Sequence, residues 1–377
     1  MLRAGSNPAP CTKKVAVFED FSKTVFYFLF EVILNFVMVI IVLNKKEQIK
    51  DYARKIGFDK IGFASAEPFW EEKEILMERK RAGLFSPFEE SDIELRCHPE
   101  KHLPGAKTII CFAVSYFFGK EDMPGENSSE PLGIISKYAL MRDYHGVLFQ
   151  KLKLMADFIY SMWGAKSKIF VDSAGLLERA AARRAGIGWI GQNTCLFTEE
   201  FGSWVFLGEM ITDLEIEPDM PCRNQCDNCG KCVKACPTRA LEGPYRLNPF
   251  RCLSYITQMR GTIPEEFRDI MGLRLFGCDT CQEACPKNKK IILVKHEEFM
   301  LDYQIERRLI KLIFMDNVEF DKNFKLTPIA WRGRNVLRRN ATVALANTGV
   351  GCKKYFEKLL SDPSPVIREH AMWALKR

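Results

Sequence analysis

The sequence carries little excess charge. Fifty-five Lys and Arg against 48 Asp and Glu leave a formal +7 over 377 residues. That balance permits a polyanionic partner such as nucleic acid but does not require one. The sequence also lacks the spacing of a disulfide scaffold. Nine of its 14 cysteines lie between Cys222 and Cys285, and a chain this long has enough apolar core to do without disulfides. The cysteines are therefore read as metal ligands in a reducing, cytoplasmic compartment. Finally, no small-residue cleavage site follows the apolar run Val25–Leu43 (VFYFLFEVILNFVMVIIVL), which argues against a secretory signal.

That run is long enough to cross a bilayer, although Glu31 and Asn35 inside it would be costly in lipid. A different reading starts from Ala4–Thr12, AGSNPAPCT. Back-translated, Gly-Ser-Asn-Pro can be GGT TCG AAT CCC, the T-arm of a transfer-RNA gene, and the next residues can supply its acceptor strand and terminal CCA. The start is then placed too far upstream, and the expected protein begins near Met38 or slightly later. A membrane anchor or a buried apolar helix are the other readings of residues 1–44.

From Lys45 the pattern is that of a folded enzyme. KKEQIKDYARKIG has helical apolar spacing and ends at Gly57, and DKIGFASA follows as a strand. LPGAKTIICFAVSYF predicts a buried strand, and RDYHGVLFQKLKLMADFIYSMWG a long helix capped by Gly164. KSKIFVD is a further strand and LLERAAARRAG a helix capped by Gly186. The alternation predicts an α/β domain over 45–219. A cysteine-rich domain over 220–290 and a helical domain over 291–377 complete an α+β/α/β chain. In the last of these, VLRRNATVAL (336–345) repeats as VIREHAMWAL (366–375) at an offset of thirty residues. This is the look of HEAT-like helical repeats, with a plain helical bundle as the simpler reading. Arg332, Arg334, Arg338, Arg339, Lys353 and Lys354 make the region basic.

Cys226, Cys229, Cys232 and Cys236 stand in CDNCGKCVKACP, the C-x2-C-x2-C-x3-C-P run of bacterial ferredoxins. Two-residue gaps let one tight loop offer three thiolates to one cubane, while the fourth cysteine turns towards a second. CDTCQEACP supplies Cys278, Cys281 and Cys285 but lacks the middle cysteine, and Cys252 in RCLSYITQ is the replacement. By symmetry one [4Fe–4S] cluster takes Cys226, Cys229, Cys232 and Cys285, and the other takes Cys236, Cys252, Cys278 and Cys281. Zinc also uses C-x2-C pairs but needs neither the two Cys-Pro endings nor cross-ligation. Cys222 is a spare thiol, and Cys11, Cys97, Cys111, Cys195 and Cys352 are isolated. Two cubanes with every iron held by a thiolate conduct electrons and leave no position for substrate. The large domain ahead of them argues for another reacting group.

At these residues the chain resembles the epoxyqueuosine reductase family. The stretches that carry the likeness are YALMRDYH (138–145), VDSAGLLERAAARRAGIGWIGQNT (171–194), GSWVFLGE (202–209), the two cysteine motifs with RCLSY between them, and WRGRNVLRRNATVAL (331–345). The family is related to cobalamin-dependent reductive dehalogenases. The resemblance implies reduction of epoxyqueuosine to queuosine in the tRNA anticodon loop, the last step of that modification, by cobalamin and two [4Fe–4S] clusters. It implies a cobalamin-binding α/β domain, a ferredoxin-like domain and HEAT-like repeats that hold tRNA.

Asp172 matches the family's proton donor, and burial beside the corrin should raise its pKa; the simpler role is a helix cap. Arg96, Leu196, Leu207 and Ser254 fall where the cofactor is contacted, with Asp172, and Arg179 where tRNA is held. No D-x-H-x-x-G sequence occurs, since DYHG is followed by Val147 and Leu148, so a base-off, weakly ligated cobalt is expected. Gly175, Gln192 and Met141 depart from the family's usual proline, lysine and glycine, which puts loop shape and substrate contacts in question. A low-potential electron donor, no membrane partner and a monomer are the remaining expectations. A small-molecule cobalamin reductase, a ferredoxin-type carrier and a tRNA-binding module with structural clusters are the competing functions.

Overall fold

The computed structural model describes residues 45–117, 130–172 and 175–377. The run Val25–Leu43 and the expected start near Met38 lie outside the described residues. The chain divides into two compact units, Met1–Asp51 and Tyr52–Arg377. Of the first, only residues 45–51 are described, and they are helical. Among the described residues no helix is long and apolar enough to cross a membrane. All that follows concerns the second unit.

Four strands form its main sheet: β1 (Lys60–Ser65), β2 (Thr108–Ser115), β3 (Ser167–Phe170) and β4 (Val205–Thr212), in the order β1-β2-β4-β3. β2 is buried at every position, as its unbroken apolar run requires of a strand covered on both faces. Helix α1 (Tyr144–Trp163) lies on one face. Its Leu148 and Leu152 sit where a side chain on Gly208 of β4 would otherwise be. Helix α2 (Glu178–Arg184) lies on the other face, where Ala180, Ala181 and Ala182 pack with Ile211 and Leu207. Gly62 is needed for this packing, because a Cβ there would stand 2.0 Å from the Ala185 carbonyl oxygen. α1 ends at Gly164, whose φ of 66° is the expected left-handed cap.

All three strand pairings are antiparallel, so the layer is α+β, which corrects the α/β expectation. Alternating strands and helices dictate that helices cover both faces. They do not dictate strand direction, and the long connections here return the chain to either end of the sheet.

A second apolar core runs from Ile135 and Ala139 through Leu253–Phe276 to Ala374. It joins α3 (Leu253–Gln258) in the cysteine-rich part to C-terminal helices that include α4 (Leu309–Phe314), α5 (Arg334–Asn347), α6 (Lys353–Leu359) and α7 (Pro365–Leu375). The repeated segments are α5 and α7, and equivalent positions do equivalent work. Arg338 and Arg368 both engage the Asp362 turn, Arg338 through the carboxylate and Arg368 through the backbone oxygen. Asn340 donates to the carbonyls of Thr257 and Leu275, and its counterpart His370 accepts from the Ile263 amide at 3.2 Å.

Two arginines expected among the cations that hold nucleic acid are instead structural. Arg338 and Arg339 are buried. Arg339 donates to the carbonyls of Met259 and Gly261 at 2.7 and 2.6 Å and to Asn340 Oδ1 at 3.0 Å. Composition marks the segment as basic, but helical phase turns these two side chains inward. Replacing Arg339 by Met should cost about 3 kcal/mol, because several buried carbonyls lose their donors. Urea unfolding of the variant measures that loss.

Candidate active site

The cysteines meet in two groups. Cys226, Cys229, Cys232 and Cys285 line one small, mostly apolar cavity together with Trp189 and Phe197. In the second group Cys281 interacts with Cys236, and Cys252 interacts with Cys278 and Cys281. Among the described residues no three His, Cys, Asp or Glu side chains converge as they would on a single ion. The thiols of the first group line the wall of their cavity and so leave space between them. The loop that carries the first group needs left-handed backbone at Asn228 and Gly230, with φ of 53° and 67°, and these residue types tolerate it. Gln192 donates to Asn228 Oδ1 at 3.0 Å. This departure from the family pattern therefore braces the cysteine loop from the hairpin at Trp189–Phe197. Gly188 lets that hairpin close, since a Cβ there would meet the Phe197 oxygen at 1.9 Å. Met141 is buried.

Beside the second group opens a cavity of about 1230 Å³. This exceeds the roughly 300–1,000 Å³ of an ordinary small-ligand pocket. Asp172, Arg179, Leu196, Leu207 and Ser254 all line it, so the fold brings these five sequence-derived candidates together. Ser254 lies two residues from Cys252 and lining residue Gln282 is next to Cys281, so one wall of the cavity is the outer side of a cysteine group. Arg179 donates to the Thr194 carbonyl at 2.6 Å. Arg96 is not among the lining residues. It stacks over Phe85 and pairs with Glu89 at 3.4 Å, with its Nε buried and unpartnered.

Asp172 sits at φ 43°, a strained value for a residue with a side chain, at the end of β3. Tyr144 donates to its Oδ2 at 2.5 Å. His145 Nε2 stands 3.6 Å from the same oxygen, while His145 Nδ1 donates to Asp143 Oδ1 at 2.6 Å. Burial opposes charge on this imidazole, but its hydrogen bonds and the charges of Asp143 and Asp172 outweigh burial and raise its pKa to about 9. The Asp172 side chain is 58% exposed to the cavity. The burial expected around this carboxylate is thus not supplied by the protein wall.

Behind Asp172 lie two further acids. Burial, and then the charge of Asp172, push Glu178 up to about 8. Glu209 on β4 is fully buried, both of its oxygens lack partners, and burial drives its pKa well above the carboxylate range. Burial thus biases both carboxyls towards the protonated form. Of the two, Glu178 lines the cavity, and its unpartnered Oε1 is where an occupant's polar group would fit.

Sequence reasoning missed Tyr144, His145, Glu178, Glu209 and Cys195 as site residues. Cys195, read as isolated, lines the cavity and hydrogen-bonds Cys281. The signals available were the adjacent polar trio Asp143-Tyr144-His145 and a carboxylate in the apolar strand at Glu209. The spare Cys222 thiol donates to the Gly186 carbonyl.

Comparison with known proteins gives concordant matches. A family model described as "Epoxyqueuosine reductase QueG, DUF1730" matches residues 96–173, and one described as "4Fe-4S double cluster binding domain" matches residues 225–288. A protein of Bacillus subtilis (strain 168) named epoxyqueuosine reductase is 42% identical over 338 residues, 89% of this chain and 88% of that one. The same-named protein of Pseudomonas aeruginosa is 33% identical, covering 88% and 94%. A crystal structure of epoxyqueuosine reductase with a tRNA-Tyr epoxyqueuosine-modified stem loop superposes with TM-score 0.84 at 41% identity, covering 89% of this chain and 90% of that chain. The Streptococcus thermophilus enzyme superposes at 0.81 with 36% identity, covering 88% and 90%.

Two titrations test the electrostatics. His145 should titrate near pH 9 by NMR, and Asp143→Asn should bring it back towards 6.5. Its raised pKa adds stability that is complete below pH 6.5 and is lost as pH rises through 9. Glu209 carries a dependence of the same sign at lower pH. An unfolded Glu releases its proton near 4.5 while the folded one retains it, so stability falls as pH rises above 4.5. Glu209→Gln should shrink the Tm difference between pH 5 and pH 8.

Proposed function

The chain belongs to the epoxyqueuosine reductase family of oxidoreductases, and from that premise we propose that it reduces epoxyqueuosine to queuosine in a tRNA anticodon loop, as the last step of that modification. The observation that carries the reading is one large cavity with Asp172 on one wall and a cysteine group behind another. The proposed domains are a cobalamin-binding part over 45–219, a double-cluster part over 220–290 and a helical tRNA-binding part over 291–377.

Two [4Fe–4S] clusters would be held by Cys226, Cys229, Cys232 and Cys285, and by Cys236, Cys252, Cys278 and Cys281. They would supply electrons one at a time from an external low-potential donor. The Cys229 group is nearer the surface, since Cys229 is exposed, and the Cys252 group adjoins the cavity. Cobalamin fits the cavity's breadth, its apolar walls at Leu196 and Leu207, and the unpaired oxygen of Glu178. Leu196, Leu207 and Ser254 would border it, whereas the position of Arg96 gives it no direct contact with that space. When bound, cobalamin supplies a strongly reducing metal that joins one-electron delivery to a two-electron reduction.

The balance for an epoxide going to an alkene is two electrons and two protons in, one water out. Asp172 would give a proton to the departing oxygen. Tyr144 fixes its carboxyl, and His145, charged below about pH 9, is the adjacent source that returns the proton. Arg179 at the cavity wall would meet the RNA. One solved Bacillus subtilis structure is described with its catalytic aspartate loop swung out of the active site. A loop of that kind here would let Asp172 move between solvent and substrate.

Asp172→Asn should lower turnover of an epoxyqueuosine-containing stem-loop by at least about a hundredfold, with iron content and the cluster spectrum unchanged. Anaerobic reconstitution followed by that assay is the test. Wild-type enzyme that stays inactive with eight irons and cobalamin bound would refute the reading.

A further inference from the structure

A second cavity, of about 420 Å³, opens beside the large one and shares Arg260 and Arg332 with it. Arg334 completes its cationic lining, Arg339 reaching the same wall only as a buried structural side chain, and none of the lining residues is a carboxylate. The nearest acid on the neighbouring turn, Asp362, is already paired with Arg338. Arg339 is buried, and that burial together with the charge of Arg332 lowers its pKa to about 9. Arg260 and Arg332 oppose one another here, and the single carboxylate of Asp362 is shared between Arg338 and the charge of Arg334. Such crowding opposes folding unless an anion relieves it.

The cations are also positioned. The Arg332 Nε donates to the Gln258 carbonyl, and its guanidinium stacks 4.2 Å from the Trp331 ring and 4.9 Å from Phe88. Arg334 Nη1 is tethered to the Met315 carbonyl at 3.2 Å. Arg260 is exposed. The first turn of α5, entered through Gly333 at φ 79° with no side-chain cap, adds its free amides to the same wall.

We propose that this cavity is a phosphate subsite for the RNA backbone, which takes a phosphodiester next to the nucleotide whose base enters the large cavity. The inference rests on the tRNA reading above and adds the place where the backbone is gripped. The shared wall fixes the geometry. A chain with its base beyond Arg260 and Arg332 has its neighbouring phosphate on the Arg334 side. Trp331, half-exposed at the rim with Arg332 against it, offers a stacking face for an adjacent base. A free phosphate ion shares the chemistry but would gain nothing from Trp331.

The test compares wild type, Arg334→Gln and Arg334→Lys for binding of an epoxyqueuosine-containing anticodon stem-loop across a salt series. Arg334→Gln should weaken binding about tenfold at low salt and reduce the slope of log affinity against log salt by about 0.7, the share of one single-strand phosphate contact. Arg334→Lys keeps the charge and should keep the slope. At equal ionic strength, inorganic phosphate should compete with the stem-loop no better than chloride does. Equal slopes for Arg334→Gln and wild type, or equal slope losses in both variants, would overturn the subsite while leaving the tRNA reading standing. Displacement by millimolar inorganic phosphate would make it a free-anion site instead. Wild type that binds no stem-loop would remove the function and the subsite together.

Discussion

The arrangement depends on a buried exchange of hydrogen bonds between the C-terminal helices and the cysteine-rich segment. Arg339 and Asn340 donate to carbonyls of residues 256–261 and 275. These are the groups left open where α3 ends and where the strand at Arg274–Phe276 runs. α3 carries Ser254 into the cavity wall and begins immediately after Cys252. The strand leads directly into Cys278. The helices that follow the cysteines in sequence therefore hold them in place from behind. A buried donor set of this kind is costly to disrupt, because every carbonyl it serves would be left unpaired.

On that frame the cavity separates charge from protons. The cysteine groups lie along one wall and the acids along the other. Asp172 faces the space, whereas burial makes ionisation unfavourable for Glu178 and Glu209 behind it. His145 is the opposite case. Its neighbours are carboxylates, so it stays cationic at neutral pH and keeps a proton within 3.6 Å of Asp172. Two buried acids and one imidazole are thus set apart by environment alone. The arginine cavity continues the pattern outwards, with fixed positive charge at the rim and neutral or negative groups inside.

Much of the site was legible along the chain. The C-x2-C spacings predicted two cysteine groups, and Asp172, Arg179, Leu196, Leu207 and Ser254 do share one cavity. Arg96 does not, because its helix turns it towards Glu89. Glu209 was hidden because a single carboxylate in a strand gives no period of its own. Cys195 was hidden because its partner Cys281 lies far along the chain. Arg338 and Arg339 show the limit of composition, since a basic segment is exposed only on the face that helical phase leaves outside.

The sequence alone determined the local features: the tight cysteine loops, the glycine-capped helices, the fully buried β2 and the repeated C-terminal helices. Each follows from residue types within a few positions of one another, where backbone geometry acts directly. Only the tertiary structure decided strand direction, which arginines are buried and which meet solvent, and which acids keep their protons. Those outcomes depend on groups distant in sequence that share a low-dielectric space, and no local pattern encodes that proximity.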